Sequence, residues 1–113
     1  MPASSQQSLG EFEQVVLLAI LRLEEDAYGV SIRNEIRDCT GRNAAPGALY
    51  NTLDRLEDKG MLSSRMGEAT ARRGGRAKRL YAVTKDGVAA VARAQRAYQA
   101  LLKDLTLPGV AHA

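Results

Sequence analysis

The 113-residue sequence contains one cysteine, one histidine, one phenylalanine and no tryptophan. A lone cysteine forms no internal disulfide, which excludes a disulfide scaffold and makes the reducing cytoplasm the expected compartment. Cys39 and His112 are too few to build a cluster of soft or imidazole metal ligands, so no metal is expected. Long apolar runs are also missing. The longest, Val15 to Leu21, stops at Arg22 after seven residues, whereas a membrane-spanning helix needs roughly 18 or more. The opening MPASSQQS has no basic segment followed by an apolar one, so neither a secretion signal nor a membrane association is expected. No glycine-rich loop follows a strand pattern, no histidine stands beside a serine or cysteine, and acidic runs such as Glu24-Glu25-Asp26 read as solvated. A nucleophile or base with a positioned partner is therefore not in evidence, and neither an enzyme nor a cofactor is expected.

What is present is the composition of an ordinary globular chain, with 45% hydrophobic and 26% charged residues. The length suits one domain. A chain this size buries only about two-thirds of its unfolded surface, so a partner subunit would add to its stability. The net charge of +3 is unevenly spread. Between Arg65 and Arg79, six cations (Arg65, Arg72, Arg73, Arg76, Lys78 and Arg79) stand against Glu68, a local charge of +5 that leaves the remainder at −2. Positive charge concentrated in one short stretch is how an electrostatic footprint for nucleic acid looks, although a solvated basic loop has the same composition.

Apolar periodicity divides the chain. Residues 1–8 are small and polar, an expected disordered tail. From Leu9 to Leu23 the pattern is helical, with Phe12, Val16, Ile20 and Leu23 on one face and Val15, Leu18 and Leu21 on a second flank. Two apolar faces predict a helix covered on two sides, one by its own domain and one by a second subunit. A second helix opens at Tyr28-Gly29 and runs to about Thr40, with Tyr28, Ile32, Ile36 and Cys39 inward; Cys39 then reads as a small buried hydrophobe, the alternative being a redox switch. Gly41 stands at its C-terminus, where positive φ is wanted. Pro46 suits the first position of a third helix ending near Gly60. Its inward residues are Leu49, Leu53 and Leu56, and its opposite face carries Gly47, Ala48, Asn51, Thr52, Arg55 and Asp58.

Met61–Met66 and Arg79–Val83 read as strands, joined by the basic, glycine-containing stretch as a long hairpin tip. Thr84 is placed to cap a fourth helix reaching about Leu105. Its seam, Val88, Val91, Gln95, Tyr98, Leu102 and Leu105, keeps 3,4 spacing for nearly three heptads, flanked by alanines that permit close approach of another helix. After Pro108 the tail should fray.

Helix, helix, helix, strand, basic turn, strand, long helix is the order of a mainly α winged helix-turn-helix with a small β-hairpin. The expected divisions are a tail at 1–8, a winged-helix DNA-binding domain at 9–83, a dimerisation helix at 84–105 and a frayed tail at 106–113. The third helix fits the major groove: Gly47 and Ala48 allow close approach, and Asn51, Thr52 and Arg55 offer hydrogen bonds to base edges. The cationic hairpin would lie on the phosphate backbone or in the neighbouring minor groove.

The stretch PGALYNTLDRLEDKGMLSSR, the Gly/Arg-rich turn, LYAVTKDG and the earlier AILRLEEDAYGVSIRNEI together resemble the PadR family of bacterial transcriptional regulators. The likeness runs from about Leu9 to Leu105. Its most specific part is the LYxxLxRLExxG block, Leu49 to Gly60, and the single short last helix is similar to that of the compact subgroup. The resemblance implies a homodimeric repressor paired through its first and last helices on a palindromic operator. It places Gly47, Ala48, Tyr50, Asn51 and Arg55 on the recognition helix and Arg73, Arg76 and Lys78 in the wing; Arg72 of the same basic stretch is a further candidate for contact with DNA. Tyr50 could pack inward while its hydroxyl reaches a phosphate. Ala45, where Ser is frequent, and Asn51, where Pro is frequent, depart from the pattern. The implied dimer interface takes in Phe12, Val16, Val88, Val91, Gln95, Tyr98, Leu102 and Leu105. In some compact members that interface encloses a cavity for planar hydrophobic molecules. Here Phe12, Gln95 and Tyr98 would line it, unless Tyr98 is an ordinary interface aromatic and Gln95 a register-setting polar residue. The competing reading of the whole chain is a winged-helix protein-interaction module without sequence-specific DNA binding.

Overall fold

Helix α1 (Glu11–Leu23) starts where the Gly10 N–H donates to Glu13 Oε1 at 2.8 Å, the carboxylate half of a capping box. Glu11 and Glu13 in its first turn and Arg22 in its last complement the helix dipole. A computed structural model describes residues 8–67 and 77–109 of the chain. After a 3-10 turn at Glu24–Asp26, helix α2 (Gly29–Thr40) begins at Tyr28, whose N–H donates to Ser31 Oγ at 2.9 Å. It ends at Gly41, which adopts φ +77°, a left-handed conformation that glycine reaches without a Cβ clash.

Helix α3 (Pro46–Asp58) follows a short connector held by Arg33, whose Nε donates to the Ala44 carbonyl at 3.0 Å. Strands β1 (Leu62–Met66) and β2 (Arg79–Val83) pair antiparallel, Leu62 opposite Val83 and Met66 opposite Arg79. One further bond, Gly67 N–H to the Lys78 carbonyl at 2.7 Å, extends the pairing toward the turn. Helix α4 (Lys85–Leu102) is capped by Thr84, whose Oγ1 accepts the Gly87 N–H at 3.1 Å while donating to the Gly60 carbonyl at 2.7 Å.

The core lies where α1, α2, α3 and the hairpin meet. Val16, Leu17, Ile20, Ile32, Ile36, Leu49, Leu53, Leu56 and Met61 are buried there, each large side chain contributing roughly 1.5–3 kcal/mol by leaving water. Helix α4 joins only through its first turns, by Gly87, Ala90 and Val91. Every residue from Gln95 to Gly109 is exposed.

Three expectations differ in detail. Cys39 is exposed, as is every residue from Arg37 to Asn43. It shares the inward face of Ile32 and Ile36 but sits in the last turn, beyond the elements that cover them. Its thiol meets Glu35 Oε2 at 3.4 Å, a hydrogen bond that pushes the thiol pKa above its usual value. Helix α4 stops at Leu102, because Lys103 leaves helical geometry and Asp104 takes φ +60°, so Leu105 lies past the helix. Val16 and Val91, expected between subunits, are 0% and 6% exposed inside their own subunit. The outward face of α1 is instead carried by Leu18 and Leu21.

The helix pair α2–α3 followed by the β1–β2 hairpin is a winged helix-turn-helix, with α4 as its long C-terminal helix.

Candidate nucleic-acid interface

Helix α3 turns Leu49, Leu53 and Leu56 into the core and leaves Gly47, Ala48, Tyr50, Asn51, Asp54, Arg55 and Asp58 exposed. Thr52 does not join them. It is only 4% exposed, because at 100° per residue it falls beside Leu56 on the edge of a buried arc wider than three leucines. Asp54, not picked out from the sequence, lies on the open face beside Tyr50. A broader arc assigned to the apolar stripe would have identified Thr52; Asp54, about 140° round the helix from Leu49, belongs to the open face by the same 100° count.

Tyr50 is half-exposed, and its phenol end crosses to α2. A Cβ at Gly29 would overlap the Tyr50 hydroxyl and lie 2.8 Å from Cζ, so only glycine allows this crossing. The Tyr-Gly pair of α2 therefore has a steric role toward the third helix.

Arg55 is exposed on the same face, with Nη1 3.9 Å from Glu13 Oε2. Glu13 itself is buried on α1 and accepts both hydrogen bonds of the Lys59 ammonium, at 3.0 and 2.9 Å. Burial pushes its carboxyl pKa up, but Lys59, the Gly10 N–H and Arg55 together outweigh this and hold it below its ordinary value. One turn of α1 thus fixes the end of α3. The preceding residues fix the connector: Glu11 accepts from Arg42 Nη1 at 2.8 and 3.1 Å, and the Arg42 guanidinium lies 4.6 Å over the Phe12 ring. Sequence spacing held no sign of these pairs, whose members stand 31 and 46 residues apart.

The wing root is anchored as well. Arg79 Nη1 donates to Ser64 Oγ at 3.0 Å, and Ser64 Oγ donates to Glu57 Oε2 of α3 at 2.8 Å. The Lys78 ammonium sits 4.0 Å over the Tyr28 ring. Arg65, Lys78 and Arg79 are all exposed. Between α2, α3 and the wing root lies an open groove of about 380 Å³, lined by Tyr28, Tyr50, Asp54, Lys78, Arg79 and Tyr81 among others. Arg72, Arg73 and Arg76 lie outside the described residues.

The remaining candidates are on α1 and α4. Gln95, Tyr98 and Leu102 are exposed on the outer part of α4, and Val88 is exposed in its first turn. Phe12 is half-buried against the core. Among the described residues no group of three or more His, Cys, Asp or Glu could hold a metal ion, and no helix is long and apolar enough to cross a membrane.

Comparison with known proteins places this arrangement. Residues 17–93 match the model of the transcriptional regulator PadR-like family. The transcriptional regulator Rv3488 of Mycobacterium tuberculosis is 39% identical over 89 residues, covering 79% of this chain and 78% of that one. A solved structure described as the complex of hsRosR-S4 aligns with TM-score 0.69 and 25% identity over 93% of this chain and 84% of that one. A PadR family transcription regulator from Clostridium difficile shares the fold, with TM-score 0.67 and 19% identity over 82% of this chain and 93% of that one. The family, the Mycobacterium tuberculosis relative and the Clostridium difficile protein are regulators of transcription rather than enzymes. The chain belongs to the PadR-like family of transcriptional regulators.

Proposed function

We propose that the protein is a repressor that binds a palindromic DNA operator as a homodimer, with α3 in the major groove and the wing on the backbone or in the minor groove. The observation that carries this reading is the open face of α3. Gly47 and Ala48 present no bulk, Asn51 and Arg55 present hydrogen-bonding groups, and the cationic wing root shares a groove with Tyr50 and Asp54 of the same helix. Small residues permit close approach, amide and guanidinium groups suit base edges, and Lys78 and Arg79 suit phosphates. The site residues are then Gly47, Ala48, Tyr50, Asn51 and Arg55 on α3, with Lys78, Arg72, Arg73 and Arg76 from the wing. Thr52 supports the helix from behind.

The homodimer is supported by apolar surface that the described residues of the subunit leave uncovered. Leu18 and Leu21 on α1, and Val88, Tyr98, Leu101 and Leu102 on α4, are all exposed. A second copy related by a two-fold axis would cover them and set two recognition helices about 34–36 Å apart, one turn of DNA. Gln95 and Tyr98 would lie in that interface, where a planar hydrophobic effector could change the spacing of the helices. Phe12 takes a smaller part than its place in the sequence suggested, since Arg42 covers one face of its ring.

Selection of bound sequences from random duplex DNA tests the proposal. Enrichment of a palindrome with half-sites one helical turn apart is the expected result. Enrichment of nothing, with no affinity for duplex at low salt, overturns it.

A further inference from the structure

Three consecutive residues, Ala27, Tyr28 and Gly29, each hold a different part of the proposed DNA-reading surface. The Ala27 carbonyl accepts the Tyr81 N–H at 2.9 Å, which fixes strand β2. The Tyr28 ring carries the Lys78 ammonium at 4.0 Å, which fixes the cation at the wing root. Gly29, lacking a Cβ, leaves the space that the Tyr50 phenol of α3 occupies. The segment is itself held rigid. Ser31 Oγ accepts the Tyr28 N–H at 2.9 Å and lies 2.6 Å from the Asp26 carbonyl, to which it donates. Ala27 is buried.

We infer that Ala27-Tyr28-Gly29 is a positioning segment that sets the distance between the wing and the recognition helix, with Tyr28 holding Lys78 where a phosphate of the same duplex passes. The inference rests on the DNA-binding reading above and adds residues that touch no DNA themselves. A cation on an aromatic face keeps its charge while losing freedom of its long side chain, so less ordering remains to be done when a phosphate arrives. Gly29 acts in parallel: the Tyr50 ring leans on α2 instead of sweeping across the face that carries Asn51.

Binding of a mixed-sequence DNA duplex as a function of salt is the test. Lys78→Ala should reduce the steepness of log K against log[salt] by about 0.9, the value of one phosphate contact. Tyr28→Leu should cause the same loss, Tyr28→Phe should keep the native slope, and Tyr28→Leu combined with Lys78→Ala should go no further than either alone. A native slope in Tyr28→Leu, or losses that add in the double variant, overturns the inference. If Tyr28→Leu does not fold, the proton spectrum of the native protein decides. Lys78 ε-methylene signals shifted upfield by the ring support it, and signals at their random-coil position overturn it. Gly29→Ala, which displaces Tyr50, should keep the native slope and lose most of the preference for a selected sequence over the mixed duplex. An unchanged preference removes the role of Gly29. Native protein without salt-dependent duplex affinity would overturn the function proposed above, whereas native binding with Tyr28 and Lys78 acting independently overturns this inference alone.

Discussion

The Lys59 ammonium donates to both carboxylate oxygens of Glu13, joining the first turn of α1 to the end of α3 across 46 residues of sequence. Glu13 is buried and Lys59 is half-buried, so each charge depends on the other. Glu13→Gln should cost about 2–3 kcal/mol near neutral pH, less than a fully buried pair because Lys59 keeps contact with water. Folding lowers the Glu13 pKa below the ordinary 4.5. Its contribution is therefore complete above that value and is lost as pH falls through the folded value. Urea unfolding at a series of pH values should show the native protein and Glu13→Gln converging in stability as pH falls below the folded pKa of Glu13. A gap that stays constant into acid would contradict the pairing.

Thr52 and Asn51 are neighbours in sequence with opposite expected phenotypes. Thr52→Ala should lower stability by about 1 kcal/mol and leave sequence preference alone, since its side chain faces the core. Asn51→Ala or Arg55→Ala should leave stability nearly unchanged and relax discrimination at particular base positions by about 1–3 kcal/mol. Thermal melting paired with binding to selected and mismatched duplexes separates the two.

Gly47 has nothing within 4 Å of a Cβ placed upon it. By helix propensity Gly47→Ala should raise stability by up to about 0.8–1.0 kcal/mol, less so near the first turn. If α3 lies against a duplex, the same methyl meets DNA and should weaken binding. A variant that melts higher and binds less tightly is the expected outcome, and tighter binding would count against close approach there.

Leu101 is the most exposed large apolar residue of α4, at 77%. Leu101→Glu should leave the subunit folded and shift the protein to monomer in sedimentation equilibrium, with operator affinity falling as the two half-sites uncouple. Dimers that persist at the native concentration would place the interface elsewhere.

Local signals carried much of the fold. Thr84 was recognisable as a cap, Gly41 as a left-handed terminus, Pro46 as a first helical residue, and Arg79–Val83 as a strand, because each depends on neighbours within a few residues. The open face of α3 was legible for the same reason, apart from Thr52, at the edge of the buried arc, and Asp54, which the 100° count also puts among the exposed residues. The clasps of Glu13 on Lys59 and of Tyr28 on Lys78 were not, because the partners are far apart along the chain and charged residues are common at any spacing.

The sequence by itself determined which segments become helices or strands, that α1 has two apolar faces, that α4 carries a continuous seam, and that cations gather at the hairpin. Periodicity records that a face is apolar without naming what covers it. The tertiary structure decided that Val16 and Val91 turn into their own subunit while Leu18 and Tyr98 stay outside, that Thr52 is buried, and that Cys39 is open. Those outcomes follow from where one element ends relative to the next, a packing relation between distant residues that no local pattern contains.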